Sequence, residues 1–227
     1  MDEQKFFVEG MEEFIPSKNT LRYKRVLAIG DIHGQLERLE TLWEKLSVTE
    51  DDLVIFLGDY TIGNTKKTNN MGTLEWLAKK TRQKNIIALM GNTDYEVLKF
   101  IEKHDLETPP EILKFMKELP HSCQVTIGGK EYYFCHCGVN PDKPLDAQSK
   151  SQLIGLGDHE KFYNEYKGAA RIIVGHKSPK KISEEFDPHK PLKIPNKNIL
   201  MLDTRGKHKD GKISCVDILS GQYWQSE

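Results

Sequence analysis

Five apolar runs, each closed by a short polar cluster, organise the chain. Val26-Leu27-Ala28-Ile29 leads into Gly30-Asp31-Ile32-His33-Gly34, Leu53 to Leu57 into Gly58-Asp59, and Ile86 to Met90 into Gly91-Asn92. Further on, Tyr132-Tyr133-Phe134-Cys135 leads into His136, and Ile172-Ile173-Val174 into Gly175-His176. An apolar run bounded by glycine reads as a buried strand. Between the early runs the period changes. Leu36, Leu39, Leu42, Trp43 and Leu46 recur at helical spacing, as do Leu74, Leu77 and Ala78, then Val97, Leu98 and Ile101. Such β-α-β-α alternation predicts a parallel sheet with right-handed crossovers. A further helix is predicted over Glu111 to Leu119, with Pro109 or Pro110 near its first turn.

The second half reads differently. Gln124 to Ile127 and Glu131 to Cys135 flank Gly128-Gly129, the pattern of a tight antiparallel hairpin. Asn198 to Leu202 and Ile213 to Leu219 are two closing candidate strands. A half rich in βα units followed by a half rich in hairpins predicts an α/β protein of four layers, α/β/β/α, with two mixed sheets face to face and helices outside. Residues 1–20 mix acids with Phe6, Phe7, Phe14 and Ile15 and are expected to form an N-terminal arm, docked or frayed. Residues 21–227 are expected to form a single domain. Lys177 to Lys197 holds four prolines and six lysines with no clear period, and a loop of that length inside a compact domain is usually functional or mobile.

Open α/β sheets bind ligands where strands end, so the polar clusters should meet in space. They would bring together two Asp, one Asn and three His, a donor set suited to Mn²⁺, Fe²⁺ or Zn²⁺. Each cluster has a plainer reading alone. Asp31 could cap a strand-to-helix turn, Gly91-Asn92 could be an ordinary left-handed turn, and His136 could be a core histidine bonded to backbone. It is their joint occurrence at five strand ends that points to metal. His104, His121 and His189 lie in charged or loop contexts and are expected on the surface.

Composition narrows the partners. With Lys+Arg at 33, Asp+Glu at 34 and a formal charge of -1 over 227 residues, no global basic field argues for nucleic acid or a membrane surface. The first residues are acidic, no apolar run approaches the ~20 residues of a membrane helix, and no signal pattern is seen, so a cytoplasmic location is expected. The four cysteines, Cys123, Cys135, Cys137 and Cys215, read as free buried thiols rather than a disulfide framework, and a zinc site made from them is the weaker reading because the sequence has no CxxC pair. Cys135 and Cys137 flank His136 at strand spacing, which would put both on the face opposite its ring.

In this order, Gly-Asp-Ile-His-Gly, Gly-Asp-Tyr, Gly-Asn, the strand-borne His136-Cys137-Gly138 and Gly-His resemble the motifs of the calcineurin-like metallophosphoesterases. Within them the chain is most similar to the serine/threonine phosphoprotein phosphatase branch, which includes bacterial and phage phosphatases and symmetrical dinucleoside tetraphosphatases. Asn140-Pro141-Asp142-Lys143-Pro144-Leu145 and Leu202-Asp203-Thr204 also look like the bacterial members. The similarity runs from about Arg25 to Leu219. It implies that Asp31, His33 and Asp59 hold one divalent ion and that Asp59, Asn92, His136 and His176 hold a second, with Asp59 bridging. Two such ions, Mn²⁺ first with Fe or Zn as substitutes, would activate a water for in-line attack on phosphorus.

The departures from that pattern form one functional set. Where the phosphatases carry Gly-Asp-x-x-Asp-Arg-Gly, this chain has Gly58-Asp59-Tyr60-Thr61-Ile62-Gly63-Asn64, so Ile62 replaces a carboxylate and Gly63 an arginine. Where they carry Gly-Asn-His-Glu, it has Gly91-Asn92-Thr93-Asp94, so Thr93 replaces the general-acid histidine. A second phosphate-clamping arginine is replaced within Leu153-Ile154-Gly155-Leu156-Gly157. Every metal-ligand position remains filled. Three readings follow: a hydrolase for substrates with good leaving groups, a metal-holding protein that binds a phosphorylated partner or nucleotide without turnover, and a site whose missing cations come from elsewhere. Gly-Asn-x-Asp is similar to the diesterase pattern, which puts Asp94 beside Asp59 and Asn92 in the catalytic set. Arg205, Lys207 and His208, or the lysines of Lys177 to Lys197, are the expected substitutes, and His159 is a further candidate acid. The expected substrate is a phosphorylated small molecule, nucleotide or phosphoprotein, with no nucleic acid or membrane partner.

Overall fold

In this computed structural model the described residues are 4–8, 23–62 and 68–227, with residues 4–8 described as backbone only. Alternation along the strands builds the layers. In β2 (Arg25–Ile29) and β3 (Asp52–Phe56), Val26, Ala28, Leu53 and Ile55 point one way and Leu27, Ile29, Val54 and Phe56 the other. The first set packs between two sheets, against Cys123, Val125, Tyr132, Phe134 and Ile173. The second packs under α1 (Leu36–Leu46), α2 (Asn70–Lys80), α3 (Asn92–His104) and α4 (Pro110–Glu118), through Leu39, Leu42, Leu74, Leu77, Leu98, Ile112 and Met116. Both faces of these strands are therefore buried, which is why they read as unbroken apolar runs rather than alternating ones.

The first sheet has β4 (Ile86–Ala88) at one edge and runs β4-β3-β2-β10-β11, with β10 at Ser214–Asp217 and β11 at Tyr223–Gln225. Its β2, β3 and β4 are parallel, and β10 and β11 are added antiparallel. The second sheet contains β1 (Gln4–Val8), β5 (Ser122–Ile127), β6 (Lys130–Cys135), β7 (Arg171–Val174), β8 (Leu192–Lys193) and β9 (Ile199–Met201), in the order β1-β5-β6-β7-β9-β8. Here β6, β7 and β9 run parallel, while β5 forms the expected hairpin with β6. Its outer face, with Tyr133, Cys135, Ile172 and Val174, is covered by Leu153 of α5 (Lys150–Leu153) and by Phe162 and Tyr163 of α6 (Glu160–Glu165). The order of layers is helix, sheet, sheet, helix.

Several elements differ from expectation. The arm contributes β1 (Gln4–Val8), an edge strand paired antiparallel with β5, while its residues 9–20 lie outside the described residues. The Lys- and Pro-rich segment Lys177 to Lys197 holds a 3₁₀ turn at Pro179–Lys181 and the short strand β8, paired antiparallel with β9. Strand β6 stops at Cys135, so the alternation that would put Cys137 opposite His136 does not extend to it. Among the described residues, no helix is long and apolar enough to cross a membrane.

Candidate metal centre

All six sequence-predicted donors follow carboxyl ends of parallel strands. Asp31 and His33 follow β2, Asp59 follows β3, and Asn92 follows β4 as the first residue of α3; His136 follows β6 and His176 follows β7. Because the two sheets pack face to face with these ends at one rim, their loops meet. Backbone bonds fix the meeting: Ile32 N–H and His33 N–H donate to Asp59 O at 3.0 and 2.8 Å. His176 N–H donates to both oxygens of Asp31, at 3.0 and 3.1 Å, tying the second sheet to the first. The backbone is strained where it turns. His33, Asp59 and His176 have φ of 50, 55 and 63°, the left-handed region that non-glycine residues enter at a cost of ~1–3 kcal/mol each. Glycines sit beside them because a Cβ at Gly175 would collide with the Asp31 carboxylate, and one at Gly91 with Asp59.

The donors sort into two cages. In one, His33 Nε2 lies 3.7 Å from Asp31 Oδ2 and 3.6 Å from Asp59 Oδ2. In the other, His136 Nε2 lies 3.3 Å from Asp59 Oδ1 and 3.0 Å from Asn92 Oδ1, and His176 Nδ1 lies 2.9 Å from Asn92 Oδ1 and 3.2 Å from His136 Nε2. Asp59 presents one oxygen to each cage, the arrangement of a bridging carboxylate.

Hydrogen bonds decide which ring nitrogens are free. His33 Nδ1–H donates to Thr61 O at 3.0 Å and His136 Nδ1–H to Leu57 O at 2.9 Å, so both rings turn Nε2 inward, where it takes up either a proton or an ion. In the second cage the lone pairs of His136 Nε2 and Asn92 Oδ1 then face each other at 3.0 Å. Two acceptors at that separation repel unless a proton or a metal ion lies between them; burial works against charge on His136, yet Asp59 and Asp31 raise it, and a set of inward-facing acceptors that draws protons in this way fits a divalent ion. The first cage has the same need: burial works against charge on His33, yet its bond to Asp31 and the charges of Asp59 and Asp31 push it up to about 9. Burial, followed by the charge of His136, drives His176 down to about 3. Its ring is neutral at neutral pH.

The remaining predicted residues fall in two places. Asp94 is fully buried and braces the Asp59 turn, accepting from Tyr60 N–H at 2.9 Å, Thr61 Oγ1 at 3.2 Å and Gly91 N–H at 3.1 Å. Burial and the charge of Asp59 raise it to about 6. Thr93 donates its N–H to Asp59 Oδ1 at 3.0 Å, and its hydroxyl faces Thr61 O. Arg205 and His208 lie instead on a cleft of about 620 Å³ that opens from His176 and is also lined by His159, Lys177, Lys180, Lys181, Asp203 and Lys207. Arg205 has φ of 67° and lies 3.8 Å from Asp210. Burial and the charges of Arg205 and Lys207 lower His208. Ile62 is exposed with φ of 58°, and Gly63 and Asn64 lie outside the described residues.

Sequence reasoning gave no site role to Asp203, and to Cys137 only the weaker reading of a cysteine zinc site. Asp203 lines the cleft and is raised to about 7 by burial and by Asp31. Its position after β9, the third parallel strand of its sheet, was the available signal.

A family model described as calcineurin-like phosphoesterase matches residues 24–200. Among solved structures, the chain is similar to a putative diadenosine tetraphosphatase, with TM-score 0.69 and 20% identity over 88% of this chain and 92% of that one. A Saccharomyces cerevisiae serine/threonine phosphatase with similarity to human PP5 matches with TM-score 0.57 and 15% identity, over 92% and 81% of the two chains. The cold-active protein-tyrosine phosphatase of a Shewanella species matches with TM-score 0.56 and 18% identity, over 90% and 81%. At these identities the likeness establishes the fold. No curated protein matches the chain.

Proposed function

The chain belongs to the calcineurin-like phosphoesterase family, and from that membership we propose that it hydrolyses phosphate esters and anhydrides whose leaving groups need no proton. The observation that carries this reading is the pair of cages sharing Asp59, set at the end of a cationic cleft. Two divalent ions, Mn²⁺ first with Fe or Zn also fitting the donors, would supply Lewis-acid polarisation of a phosphoryl group and a water acidic enough to attack at neutral pH.

The protein's own residues do the rest. Asp59 holds the cages in register, and Thr93 N–H fixes which of its oxygens faces which cage. Asn92 completes the second cage without adding a negative charge that would repel phosphate. Asp94 positions this turn from behind and is kept from substrate by burial. Across the cleft, Lys177, Lys180, Lys181, Arg205 and Lys207 outnumber Glu184 and Asp203, a charge excess suited to the phosphate groups of a small molecule, a nucleotide or a phosphoprotein. Lys177 is braced by Glu160 at 2.6 Å and Lys180 by Glu184 at 3.0 Å; among the described residues, Lys181 and Lys207 carry no ion pair. These side chains take the place of the absent guanidinium clamps.

What the site lacks is an acid at the position of Thr93. Threonine cannot act as a general acid, and burial with the charges of Arg205 and Lys207 works against protonation of His208. General acid catalysis is worth ~10²–10⁴-fold, so substrates that depend on it should be poor and those with stable leaving groups good. Four unpaired buried cysteines suit the reducing cytoplasm proposed for the protein.

The same lack of an acid favours a second reading, a binding module that holds a phosphorylated ligand without turnover. A panel separates the two. With Mn²⁺ added, aryl monoester, diester and dinucleotide polyphosphate are expected to turn over, with rates falling steeply as the leaving group becomes more basic. Bound ions with no turnover of any substrate, phosphopeptide included, would select the binding module.

A further inference from the structure

We propose that Cys137, His159 and His176 form a third ion site, beside the two cages and distinct in chemistry, that takes a thiophilic cation such as Zn²⁺. One ligand atom from each of the three residues lies within 4.8 Å of the others. Thiolate and imidazole select soft or borderline ions, whereas the carboxylate-bearing cages accept harder ones.

Three observations support a built site. His176 turns Nδ1 to the second cage, which leaves Nε2 on the opposite edge of the ring. Gly155, with φ of 87°, keeps that edge clear: a Cβ there would come 2.8 Å from His176 Cε1, 3.1 Å from His176 Nε2 and 3.2 Å from Cys137 Cβ. The third ligand is similarly prepared, since His159 Nδ1–H donates to Gly157 O at 3.2 Å and leaves Nε2 as the unprotonated nitrogen. Its ring meets that of His176 edge to face at 5.0 Å.

The cysteine is the residue that lacks another explanation. Cys137 is fully buried, and among the described residues its thiol has no hydrogen-bond partner, although it stands next to an imidazole edge and within reach of a second. Burial keeps it protonated in the absence of an ion. Binding displaces the thiol proton and the Nε2 proton of His176 to solvent, giving a thiolate and a bridging imidazolate. Three protein ligands leave the fourth tetrahedral position for a water from the cleft. An ion there couples to the second cage through the His176 ring, so the site gives the protein a thiolate-ligated response to soft or borderline ions beside that of its carboxylate-bearing cages.

Cobalt(II) tests this without reference to catalysis, because only a thiolate ligand gives an intense near-ultraviolet sulfur-to-cobalt charge-transfer band. Titration of the full chain with Co²⁺ should produce that band, and metal analysis should count one more ion per chain in the parent than in Cys137→Ser or His159→Ala. His159 is partly exposed, with side-chain exposure of 26%, so His159→Ala decides the matter if Cys137→Ser does not fold. Absence of the band from the parent, or its survival undiminished in either folded variant, would overturn the proposal. Because the readout is a difference of one ion, it stands apart from whether the other cages fill or the protein turns over substrate.

Discussion

Raising the pH of the ion-free protein from 5.5 to 8.5 should destabilise it, and His33 makes the largest single contribution. Its ring sits at about 9 in the fold against an ordinary 6.5, because the bond to Asp31 and the charges of Asp59 and Asp31 outweigh burial. The folded state therefore prefers the protonated ring. That preference is fully present below 6.5 and is lost as pH rises through 9. The gap is worth roughly 3 kcal/mol, most of which disappears between pH 5.5 and 8.5. Asp94 at about 6 and Asp203 at about 7 lie above their ordinary 3.8, so their contributions fall in the same direction, through 6 and 7. His176 at about 3 acts the other way, since it destabilises the fold as pH drops below its ordinary 6.5. For a chain of this size 1 kcal/mol shifts Tm by about 2–4 °C, so the His33 contribution is about 5–10 °C. Differential scanning calorimetry in chelator measures it, with His33→Asn as the comparison. A Tm that stays flat or rises over this range, or a slope that His33→Asn leaves untouched, would refute the reasoning. Saturating Mn²⁺ should raise Tm most at the alkaline end, because ions and protons compete for these donors.

Asp59→Asn should abolish hydrolysis and weaken both ions, though unequally. Thr93 N–H holds an oxygen at the Oδ1 position, which turns the new NH₂ toward Asp31 and His33, so titration calorimetry should show the larger loss in that cage; equal retention of both ions would be contrary. Arg205→Ala should lower kcat/KM for an aryl phosphate by about tenfold, roughly one charge-assisted hydrogen bond, with metal content unchanged. Equal activity in variant and parent would remove Arg205 from the cleft's phosphate contacts.

Much of the fold was legible because both faces of β2 and β3 are buried and their apolar runs are bounded by glycine. The donors were legible for the same reason, since each follows such a run. Short elements were not: β8, β11 and α5 span two to four residues, too few to display a period. The division of the Asp59 oxygens depends on a backbone N–H from another loop, which no spacing reveals. Asp94 carried a family-like motif position, yet the turn it braces is formed by residues some 30 positions earlier, so its bonding emerges only in three dimensions. The approach of Cys137 to His159 was hidden because strand alternation ends two residues before it.

The second cage draws Asp59 and Asn92 from one sheet and His136 and His176 from the other, while the His176 amide clasps Asp31 across the same seam. Neither half of the chain can build this cage alone. An ion seated there acts as a rivet between the halves, so a nascent or half-folded chain has no complete second pocket with which to capture metal, and loading becomes a late event that reports successful docking of the two sheets.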